Sequence, residues 1–440
     1  LKAWKNKVDR KPLILRGARQ IGKTTAVEMF AQDFENYIYL NLERESDKSM
    51  FDEKFSAKEI FQAVLLNKNK TLNTGDTLLF IDEIQNSPTA IKMLRYFYEE
   101  LQQIHIIAAG SLLEVILEKQ NLSFPVGRVE YLYMYPVTFE EFLQAQGSQQ
   151  LLEMLNTIPA PDISFAPLLT NFNRYTALGG MPEIIKNYME EQSLTNLSSV
   201  YESLIRSYTD DVDRYAKNAS MRQIMRHCIE SIPQEAGERI KFHGFGASSY
   251  RAREIGEALR TLERAMFIYL IYPTTSVQLP LPVNKKKSPK LQFLDTGLIN
   301  YFVGLQPQFF KQDDLLAIYK GMIAEHIVRQ EISAIESFHN RAPLFWVRES
   351  NSSSAEIDII RLHEGMPIPV EVKAGATGRL RSLHQFMDRA EHAYAVRLYQ
   401  GPLEINQIRT TKGKDFKLLN LPYFLAGKID DYISWFISKV

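Results

Sequence analysis

The sequence is poor in the features that mark secreted, membrane-embedded and nucleic-acid-coating proteins. It has one cysteine, Cys228, so neither a disulfide framework nor a cysteine-based zinc site can form within the chain. No stretch approaches the roughly 20 apolar residues that a membrane-spanning helix needs. Basic and acidic residues balance at 52 each, which argues against binding to nucleic acid through net charge. We therefore expect a cytoplasmic protein without a membrane partner, although a local basic patch is compatible with the neutral total.

What the sequence does have is length and an ordinary globular composition. Of its 440 residues, 45% are hydrophobic and 24% are charged. A chain of this length exceeds one ordinary core, so it predicts two or three domains.

A glycine-rich motif near the start predicts a nucleotide site. The apolar residues 12–15 are typical of a buried strand, and residues 25–34 are typical of a helix. Between them, Gly17 to Thr24 fit the pattern G-x-x-x-x-G-K-[ST], and a flanking strand and helix are the context that this pattern requires. The predicted nucleotide-binding residues are Gly17, Ala18, Arg19, Gln20, Ile21, Gly22, Lys23, Thr24 and Thr25.

Each position of this loop has a physical task. Gly17 and Gly22 allow backbone angles closed to other residues, so that amide groups can face phosphates. The following helix adds its positive amino end to the anion site. Lys23 is a point charge for the β- and γ-phosphates, and the Thr24 hydroxyl can ligate magnesium. Arg19 is expected to face solvent.

A second strand supports this site independently. Residues 77–81 are mostly apolar and lead into Asp82 and Glu83. A carboxylate at the end of a buried strand beside such a loop holds magnesium, and the adjacent Glu83 is placed to polarise an attacking water. The alternative is an acidic pair that caps a helix, but the loop about sixty residues earlier favours the nucleotide site. We therefore expect ATP and Mg²⁺ as cofactors.

A third strand, residues 104–109, leads to Gly110 and Ser111, and here the chain resembles AAA+ ATPases. In that fold, a polar residue at the end of this strand senses the γ-phosphate, which the resemblance assigns to Ser111. An N-cap of the next helix fits Ser111 almost as well. Arg128 is the candidate for an arginine that reaches a γ-phosphate, in its own or a neighbouring subunit. The alternative is a surface arginine that pairs with Glu130.

Further motifs resemble one family over nearly the whole chain. They are Gly127-Arg128 followed by Pro-Val-Thr-Phe-Glu-Glu-Phe at 136–142, Gly-Gly-Met-Pro-Glu at 179–183, and Pro-Lys-Leu-Gln-Phe-Leu-Asp-Thr-Gly-Leu at 289–298. In that order they are similar to bacterial and archaeal AAA+ ATPases that join a winged-helix segment to a C-terminal restriction-endonuclease-like domain. The resemblance implies an AAA+ core at residues 1–150, a helical and winged-helix region at 151–310 and a nuclease-like domain at 311–440. Because AAA+ proteins usually work as rings, it also makes a homo-oligomer plausible.

A helix in the middle region carries a stripe of arginines. Residues 249–266 have apolar side chains at 255, 259, 262 and 266, which share one face. Arg253, Arg260 and Arg264 form a narrow stripe on the opposite face. A strand at residues 267–272 follows, as a winged helix requires, and Lys285-Lys286-Lys287 are placed to form a basic loop beside it. The stripe either faces DNA or is the solvated face of a surface helix, since Glu257 sits beside the arginines.

Charged residues in the last third lie on predicted strands. A helix from residue 321 carries Glu325. A strand at 344–348 and a turn at 349–354 precede a strand at 356–360, which carries Asp358, and the strand at 368–373 carries Glu371 and Lys373. Because side chains alternate along a strand, Glu371 and Lys373 point to one face.

Carboxylates this close together favour a divalent cation, which would be magnesium here. The arrangement resembles the PD-(D/E)xK nuclease core, and Asp358, Glu371 and Lys373 match its motif positions. Ile357 stands where the motif has proline. The resemblance implies that Lys373 holds or activates the attacking water and that Glu325 approaches the metal from its helix. A strand that merely ends in charge is the alternative.

Together these patterns predict an α/β protein: a P-loop AAA+ ATPase core with a parallel sheet, a helical and winged-helix middle region, and a small mixed α/β nuclease-like domain. The predicted function is ATP binding and hydrolysis coupled to action on DNA, with or without metal-dependent cleavage. The alternatives are an ATP-switched DNA-binding module and an ATPase that acts on protein partners, each with an inactive nuclease-like domain. The predicted catalytic residues are Glu83, Arg128, Asp358, Glu371 and Lys373, and the predicted metal ligands are Thr24, Asp82, Glu325, Asp358 and Glu371.

Overall fold

A computed structural model gives the structure of the chain for residues 1–71, 76–111, 113–119, 123–191, 196–304, 322–338, 342–350, 353–373, 375 and 380–439. The chain forms two compact units. The first is Leu1–Tyr135 together with the short segments Arg264–Met266 and 337–340, and the second is the remainder from Pro136 onward. The predicted middle and C-terminal regions thus fall in one unit, and the three-part division stays a prediction.

The first unit is built on a five-stranded parallel sheet in the order β2-β3-β4-β1-β5. Its strands are β1 (Leu13–Arg16), β2 (Asn36–Asn41), β3 (Thr77–Asp82), β4 (Ile104–Ala109) and β5 (Glu130–Tyr133). Its helices are α1 (Lys2–Lys5), α2 (Lys23–Ala31), α3 (Glu45–Lys48), α4 (Ala57–Asn67), α5 (Pro88–Glu100) and α6 (Leu113–Lys119).

Strand alternation explains the two cores of this sheet. Leu13 and Leu15 belong to one buried cluster with Phe80, whereas Ile14 belongs to another with Ile81. Apolar side chains on both faces of a strand are typical of a parallel sheet with helices on both sides. The three apolar strands that the sequence predicts are confirmed, within one residue at each end. The helix after the loop begins at Lys23 and ends at Ala31, earlier than the predicted 25–34.

The second unit begins with helices. They are α7 (Phe139–Ala145), α8 (Gln149–Leu155), α9 (Phe165–Leu178), α10 (Pro182–Glu191), α11 (Leu197–Tyr215), α12 (Ala219–Glu235), α13 (Ala252–Arg264), α14 (Thr296–Phe302), α15 (Met322–Ile335), α16 (Arg381–Met387) and α17 (Ile429–Ser438). The predicted helix start at Gly321 lies outside the described residues.

The helix α13 has the predicted apolar face. Ile255, Leu259 and Leu262 are at most 1% exposed, because they share one side of the helix. The predicted fourth member, Met266, is also buried but lies beyond the end of the helix at Arg264, with a φ of 58°. The strand β6 (Ile268–Ile271) follows and pairs antiparallel with β7 (Lys290–Phe293). The predicted order of helix and strand pair is therefore confirmed.

The last part of this unit holds a mixed sheet in the order β10-β11-β12-β14-β13 and a separate hairpin of β8 and β9. The strands are β8 (Trp346–Ser350), β9 (Ser353–Ile357), β10 (Ile359–His363), β11 (Met366–Lys373), β12 (Tyr394–Tyr399), β13 (Glu404–Arg409) and β14 (Asp415–Pro422). The predicted turn at 349–354 partly lies outside the described residues.

One predicted strand is wrong in a way that matters for the site. Residues 356–360 are not continuous, since β9 ends at Ile357 and β10 starts at Ile359. β9 pairs with β8, whereas β10 pairs with β11. Asp358 lies at the point where the chain passes from the hairpin to the sheet. The α/β fold class is confirmed by the parallel sheet, the helical middle and the mixed C-terminal sheet. Within the described ranges, no helix is both long and apolar enough to cross a bilayer.

Candidate nucleotide site and carboxylate centre

The nucleotide-site candidates lie at one edge of the parallel sheet. Leu15 of β1 is paired with Ala109 of β4, and Ile81 of β3 is paired with Ala108. The carboxyl ends of these three neighbouring strands therefore meet at the same edge. This brings the loop after β1, Asp82 at the end of β3 and Ser111 after β4 to a common side.

Close backbone contacts shape the loop. A Cβ atom at Gly17 would lie 2.6 Å from the Met134 carbonyl oxygen, so a larger residue does not fit there. Gly22 has a φ of 84° immediately before α2, a left-handed conformation that glycine adopts without strain. Ala18 and Ile21 are fully buried, Arg19 is half-buried rather than solvent-facing as predicted, and Gln20 and Thr25 are exposed.

Lys23 is the buried cation of the loop. It is 8% exposed, and its Nζ donates to the carbonyl oxygens of Ala18 at 2.7 Å and Gly17 at 3.1 Å. Burial lowers the pKa of Lys23 to about 8, against the raising effect of the Glu83 and Asp82 carboxylates. The amino group is therefore held at the loop backbone, beside two carboxylates.

Thr24 and Asp82 form the closest polar pair of this edge. The Thr24 hydroxyl donates to Asp82 Oδ2 at 2.8 Å, and the Tyr39 hydroxyl donates to the same oxygen at 3.3 Å. Hydroxyl and carboxylate oxygens are the ligands that Mg²⁺ takes in nucleotide sites. The donor set of Thr24 and Asp82 therefore fits a magnesium ion. No sequence motif indicates Tyr39, because its contact depends on the pairing of β2 with β3.

Glu83 occupies an unusual backbone position. Its φ is 51°, which is uncommon for a residue with a side chain and is often found at functional sites. Burial raises the pKa of Glu83, while a hydrogen bond from Gln85 and the charge of Lys23 lower it. Gln85, which the sequence reading missed, donates its amide to Glu83 Oε2. Its contact depends on this turn of the backbone rather than on a sequence motif.

Ser111 is half-buried and follows Gly110, whose Cα lies against the Gln85 side chain. Leu112, the next residue, lies outside the described residues, so the predicted N-cap stays a prediction. The γ-phosphate-sensing role of Ser111 also stays a prediction, supported by the position of Ser111 at the shared edge.

Arg128 lies elsewhere in the same unit. It precedes β5, and Glu130 of that strand pairs with Leu13 at the start of β1, so Arg128 lies at the amino edge of the sheet. A strand of four residues, roughly 13 Å long, separates this edge from the loop. Arg128 Nε is 3.0 Å from Glu99 Oε1, whereas Glu130 pairs with Lys7. The alternative partner Glu130 is therefore wrong, and Arg128 does not meet Lys23 within this chain.

The second unit contains a compact centre of charged side chains, which we name the carboxylate centre. It comprises Glu325, Glu356, Asp358 and Glu371 with the cations around them. At its middle is Lys290, a residue that was not among the predicted site residues. Its Nζ is 2.6 Å from Glu325, 2.7 Å from Glu356 and 3.5 Å from Asp358.

The predicted members of the centre do come together. Lys373 Nζ is 2.5 Å from Glu371 Oε1, and Asp358 Oδ2 accepts the Val372 amide at 2.8 Å. Arg329 donates to Glu325 at 3.0 Å and also to the Asp358 carbonyl oxygen. Glu371 and Lys373 share a face as the strand alternation predicts.

Burial and the neighbouring opposite charges shift the pKa values of Glu325 and Lys290 in opposite directions. Burial raises the pKa of Asp358, and the nearby Glu325 and Glu371 carboxylates raise it further. Burial also raises the pKa of Glu325, but Lys290 and Arg329 outweigh it and lower the pKa of that carboxyl. Burial lowers the pKa of Lys290, and the three carboxylates more than compensate, so the ammonium is firmly charged.

A divalent metal fits this centre poorly. In its favour, one Glu371 oxygen is buried and has no hydrogen-bond partner in the described part of the chain. Against it, the Lys290 ammonium already stands among Glu325, Glu356 and Asp358. In the part of the chain that the structure describes, no group of three or more His, Cys, Asp or Glu side chains is arranged to hold a metal ion.

The arginine stripe on α13 is partly exposed. Arg253 and Arg260 are exposed, and Arg264 is half-buried. Glu257, which lies between them, pairs with Lys217 at 2.9 Å, and this hydrogen bond lowers the pKa of Glu257. Lys285 and Lys286 are exposed on the segment between β6 and β7.

Comparison with protein families adds to this geometry. Residues 9–143 match a family model described as an AAA domain. This segment is therefore similar to AAA domains. Residues 169–308 and 320–422 match two further models, each described as a domain of unknown function, DUF8612 and DUF4143. Beyond the AAA domain, the matched families therefore carry no stated activity.

No curated protein matches the chain. A Walker-type ATPase of Pyrococcus abyssi is similar over 69% of this chain and 94% of its own, at 14% identity and a TM-score of 0.43. The ORC2 protein of Aeropyrum pernix, solved in complexes with ADPNP and ADP, is similar over 70% of this chain and 91% of its own, at 11% identity and a TM-score of 0.20. With TM-scores below 0.5, neither likeness supports a statement about this chain.

Proposed function

We propose that the protein binds ATP with Mg²⁺ and hydrolyses it at the carboxyl edge of the parallel sheet of its AAA domain. The observation that carries this proposal is the contact of 2.8 Å between the Thr24 hydroxyl and Asp82, beside the buried Lys23. Lys23 binds the β- and γ-phosphates, and Thr24 and Asp82 hold the magnesium ion. When bound, magnesium neutralises charge on the phosphate oxygens.

The other residues of the edge supply the rest of the chemistry. The loop amides between Gly17 and Gly22 and the amino end of α2 bind the phosphates. Glu83 orients and polarises the attacking water, and it must be ionised to do so. Ser111 contacts the γ-phosphate from the end of β4. Arg128 contacts the nucleotide bound to a neighbouring copy in a homo-oligomer.

ATP turnover of the wild type and of Lys23→Ala tests this proposal. Loss of a charged hydrogen-bond donor to phosphate costs about 1.5–3 kcal/mol, or roughly 10-fold to 150-fold in nucleotide affinity. We expect Lys23→Ala to lose nucleotide binding accordingly and to show background turnover. Lys92→Ala removes an exposed lysine of the same domain and serves as the control. Equal turnover in the wild type and Lys23→Ala would refute the proposal.

A second candidate function is action on DNA, favoured by the exposed arginines of α13. Glu257 forms its ion pair with Lys217, so this carboxylate does not neutralise the arginines of the stripe. Arg253 and Arg260 can then meet phosphates, and Lys285 and Lys286 are further exposed cations between β6 and β7. ATP turnover measured with and without DNA tests the coupling of the two activities.

Duplex binding at increasing salt tests the contact itself. We expect Arg253→Ala/Arg260→Ala to weaken binding at least tenfold and to lower the salt slope by about two. The matched control is Arg222→Ala/Arg226→Ala, since both arginines pair with Asp213 on the same unit. Absence of DNA binding at low salt would instead favour a protein partner.

Metal-dependent cleavage by Asp358, Glu371 and Lys373, with Glu325 as a further ligand, stays a prediction from the sequence. The position of Lys290 favours a C-terminal region that binds without cleaving. Cleavage of plasmid DNA in Mg²⁺ that is lost in both Asp358→Ala and Lys373→Ala would select the nuclease. DNA-stimulated ATP turnover without cleavage would select the binding module.

A further inference from the structure

The carboxylate centre is electrically complete without a metal ion. Among the described residues, its four carboxylates face four cations, namely Lys290, Arg329, Lys373 and Arg239, the last at 3.9 Å from Glu356. A buried cluster of carboxylates normally needs a counterion, because like charges in a medium of low dielectric constant repel strongly. Here side chains of the same unit supply it.

Lys290 is the central counterion by geometry. Each of the other three cations has a carboxylate partner at one side of the centre, whereas the Lys290 ammonium touches Glu325 and Glu356 and lies 3.5 Å from Asp358. Its side chain is 5% exposed. A divalent ion that used Glu325 and Asp358 as ligands would have to approach this ammonium closely, and the two positive charges would repel.

The backbone holds Lys290 in this place. It lies in β7, where it pairs with Ile271 of β6, and it also forms a bridge with Arg239. Its ammonium lies 5.3 Å from the centre of the Phe345 ring, which covers it on another side. Lys290 is thus a fixed, buried cation on a strand rather than a mobile surface side chain.

We infer that Lys290 is a built-in cation of the carboxylate centre, in the position where the predicted nuclease would hold a divalent metal, and that the centre therefore excludes such metals. The sequence motif Pro289-Lys290 brings this ammonium from the middle region to carboxylates of the C-terminal region. Excluding the metal makes the centre a structural ion network and separates the nuclease-like residue pattern from nuclease chemistry.

Manganese binding to the full-length chain tests the inference. Free Mn²⁺ is measured by electron paramagnetic resonance without nucleotide, and every chain carries Asp82→Asn to remove the magnesium site of the AAA domain. The result is thereby independent of whether the proposed ATP hydrolysis is correct. We expect this chain to bind no more Mn²⁺ than one that also carries Asp358→Asn.

Two variants test whether Lys290 is what excludes Mn²⁺ from the carboxylate centre. Lys290→Met/Glu356→Gln removes one charge of each sign and leaves the Glu325, Asp358 and Glu371 carboxylates. We expect this double variant to gain one Mn²⁺ site that binds at least tenfold more tightly than any site of its parent. Asp358→Asn should abolish the new site. Lys373→Gln removes a cation that pairs with Glu371, away from Glu325 and Glu356 in the described ion pairs, and should gain no such site.

The inference is overturned if the chain with native Lys290 binds Mn²⁺ that Asp358→Asn removes. It is also overturned if the double variant, folded by circular dichroism, binds no more Mn²⁺ than its parent. Should the double variant not fold, the comparison of the parent with Asp358→Asn still decides, because it leaves Lys290 in place.

Discussion

The Gln85 side chain joins the Glu83 carboxylate to the end of the neighbouring strand β4. Its amide donates to Glu83 Oε2, and its own Oε1 is buried against Gly110 and has no hydrogen-bond partner among the described residues. Glu83 has a positive φ, and this contact holds the carboxylate of the residue proposed to polarise water. Gln85 is therefore expected to be a positioning residue for ATP hydrolysis.

Gln85→Ala should shift the pH dependence of turnover. The hydrogen bond from Gln85 lowers the pKa of Glu83 against the effect of burial, so its loss raises that pKa. Because Glu83 acts in its ionised form, the acid limb of kcat moves to higher pH. We expect kcat at neutral pH to fall about tenfold, the equivalent of one hydrogen bond, with KM little changed.

The control for this prediction is Gln62→Ala, which removes an exposed glutamine from α4. Gly110→Ala should resemble Gln85→Ala, because a Cβ atom there collides with Gln85 Oε1. An acid limb that stays in place in Gln85→Ala would show that Gln85 does not tune Glu83.

Arg128 should act across a subunit boundary. Its position at the amino edge of the sheet keeps it from the loop of its own chain. Arg128→Ala is expected to keep nucleotide affinity and to lose turnover about tenfold or more. Mixing it with Lys23→Ala should restore part of the activity. Arg95→Ala removes the other partner of Glu99, and turnover equal to that of this control would exclude a role for Arg128.

Buried Glu331 should make the second unit less stable as the pH rises. Burial raises the pKa of Glu331 to about 7 from a usual value of 4.5. The Tyr175 hydroxyl has one hydrogen but lies 2.7 Å from Glu331 and 2.8 Å from the Val137 carbonyl oxygen. A protonated Glu331 resolves this conflict, since it donates to Tyr175 and leaves the phenol free to donate to Val137.

The sign follows from proton linkage. The folded state holds the proton more tightly than the unfolded state, so the stabilisation is complete below about pH 4.5 and is lost as the pH rises through about 7. Glu331→Gln can make the same hydrogen bonds at every pH. At pH 8 we expect its free energy of unfolding to exceed that of the wild type by on the order of 3 kcal/mol, observed as a higher melting temperature. Near pH 4.5 the two melting temperatures should match. Glu404→Gln, an exposed change, should leave the wild-type pH profile unaltered.

Gly179 should be intolerant of a side chain because of Asp295. Gly179 has a φ of 74°, and a Cβ atom there would lie 2.6 Å from Asp295 Oδ2. Asp295 is fully buried and accepts the Gly180 amide at 2.6 Å, so it cannot move aside. Gly413 has a φ of 89° with nothing within 4 Å of an added Cβ.

Comparison of alanine substitutions at these two glycines separates the cost of backbone strain from the cost of a steric clash. Gly413→Ala should cost about 1–2 kcal/mol through its backbone conformation alone. Gly179→Ala should cost a further 1–3 kcal/mol or so through overpacking, observed as a larger drop in melting temperature. Equal drops would mean that the Asp295 contact yields without cost.

The nucleotide edge could be predicted from the sequence because its chemistry is local. The loop from Gly17 to Thr24 and the strand that ends at Asp82 each have a recognisable pattern, and a parallel sheet brings strand ends together. Gln85 and Tyr39 escaped prediction, since their contacts depend on the left-handed Glu83 and on the strand order. The role of Arg128 stays a prediction, and its action within one chain is disfavoured because a residue before β5 lies at the opposite edge from a residue after β1.

The carboxylate centre shows the limit of strand patterns more sharply. Alternation correctly placed Glu371 beside Lys373, two residues apart on one strand. It could not reveal Lys290, which comes from a strand about eighty residues earlier, nor the break at Asp358 between two sheets. Contacts between residues far apart in sequence leave no periodic signal.

The placement of Lys290 on β7 also decides where this chain can be cut. A fragment that starts after residue 310 would keep Glu325, Glu356, Asp358 and Glu371 but lose both Lys290 and Arg239, so four acidic groups would share two positive ones. Such a truncation should be insoluble or unfolded, whereas one that starts before α12 retains every charge of the centre. The position at which the chain can be truncated therefore differs from the boundary between the second and third matched family models.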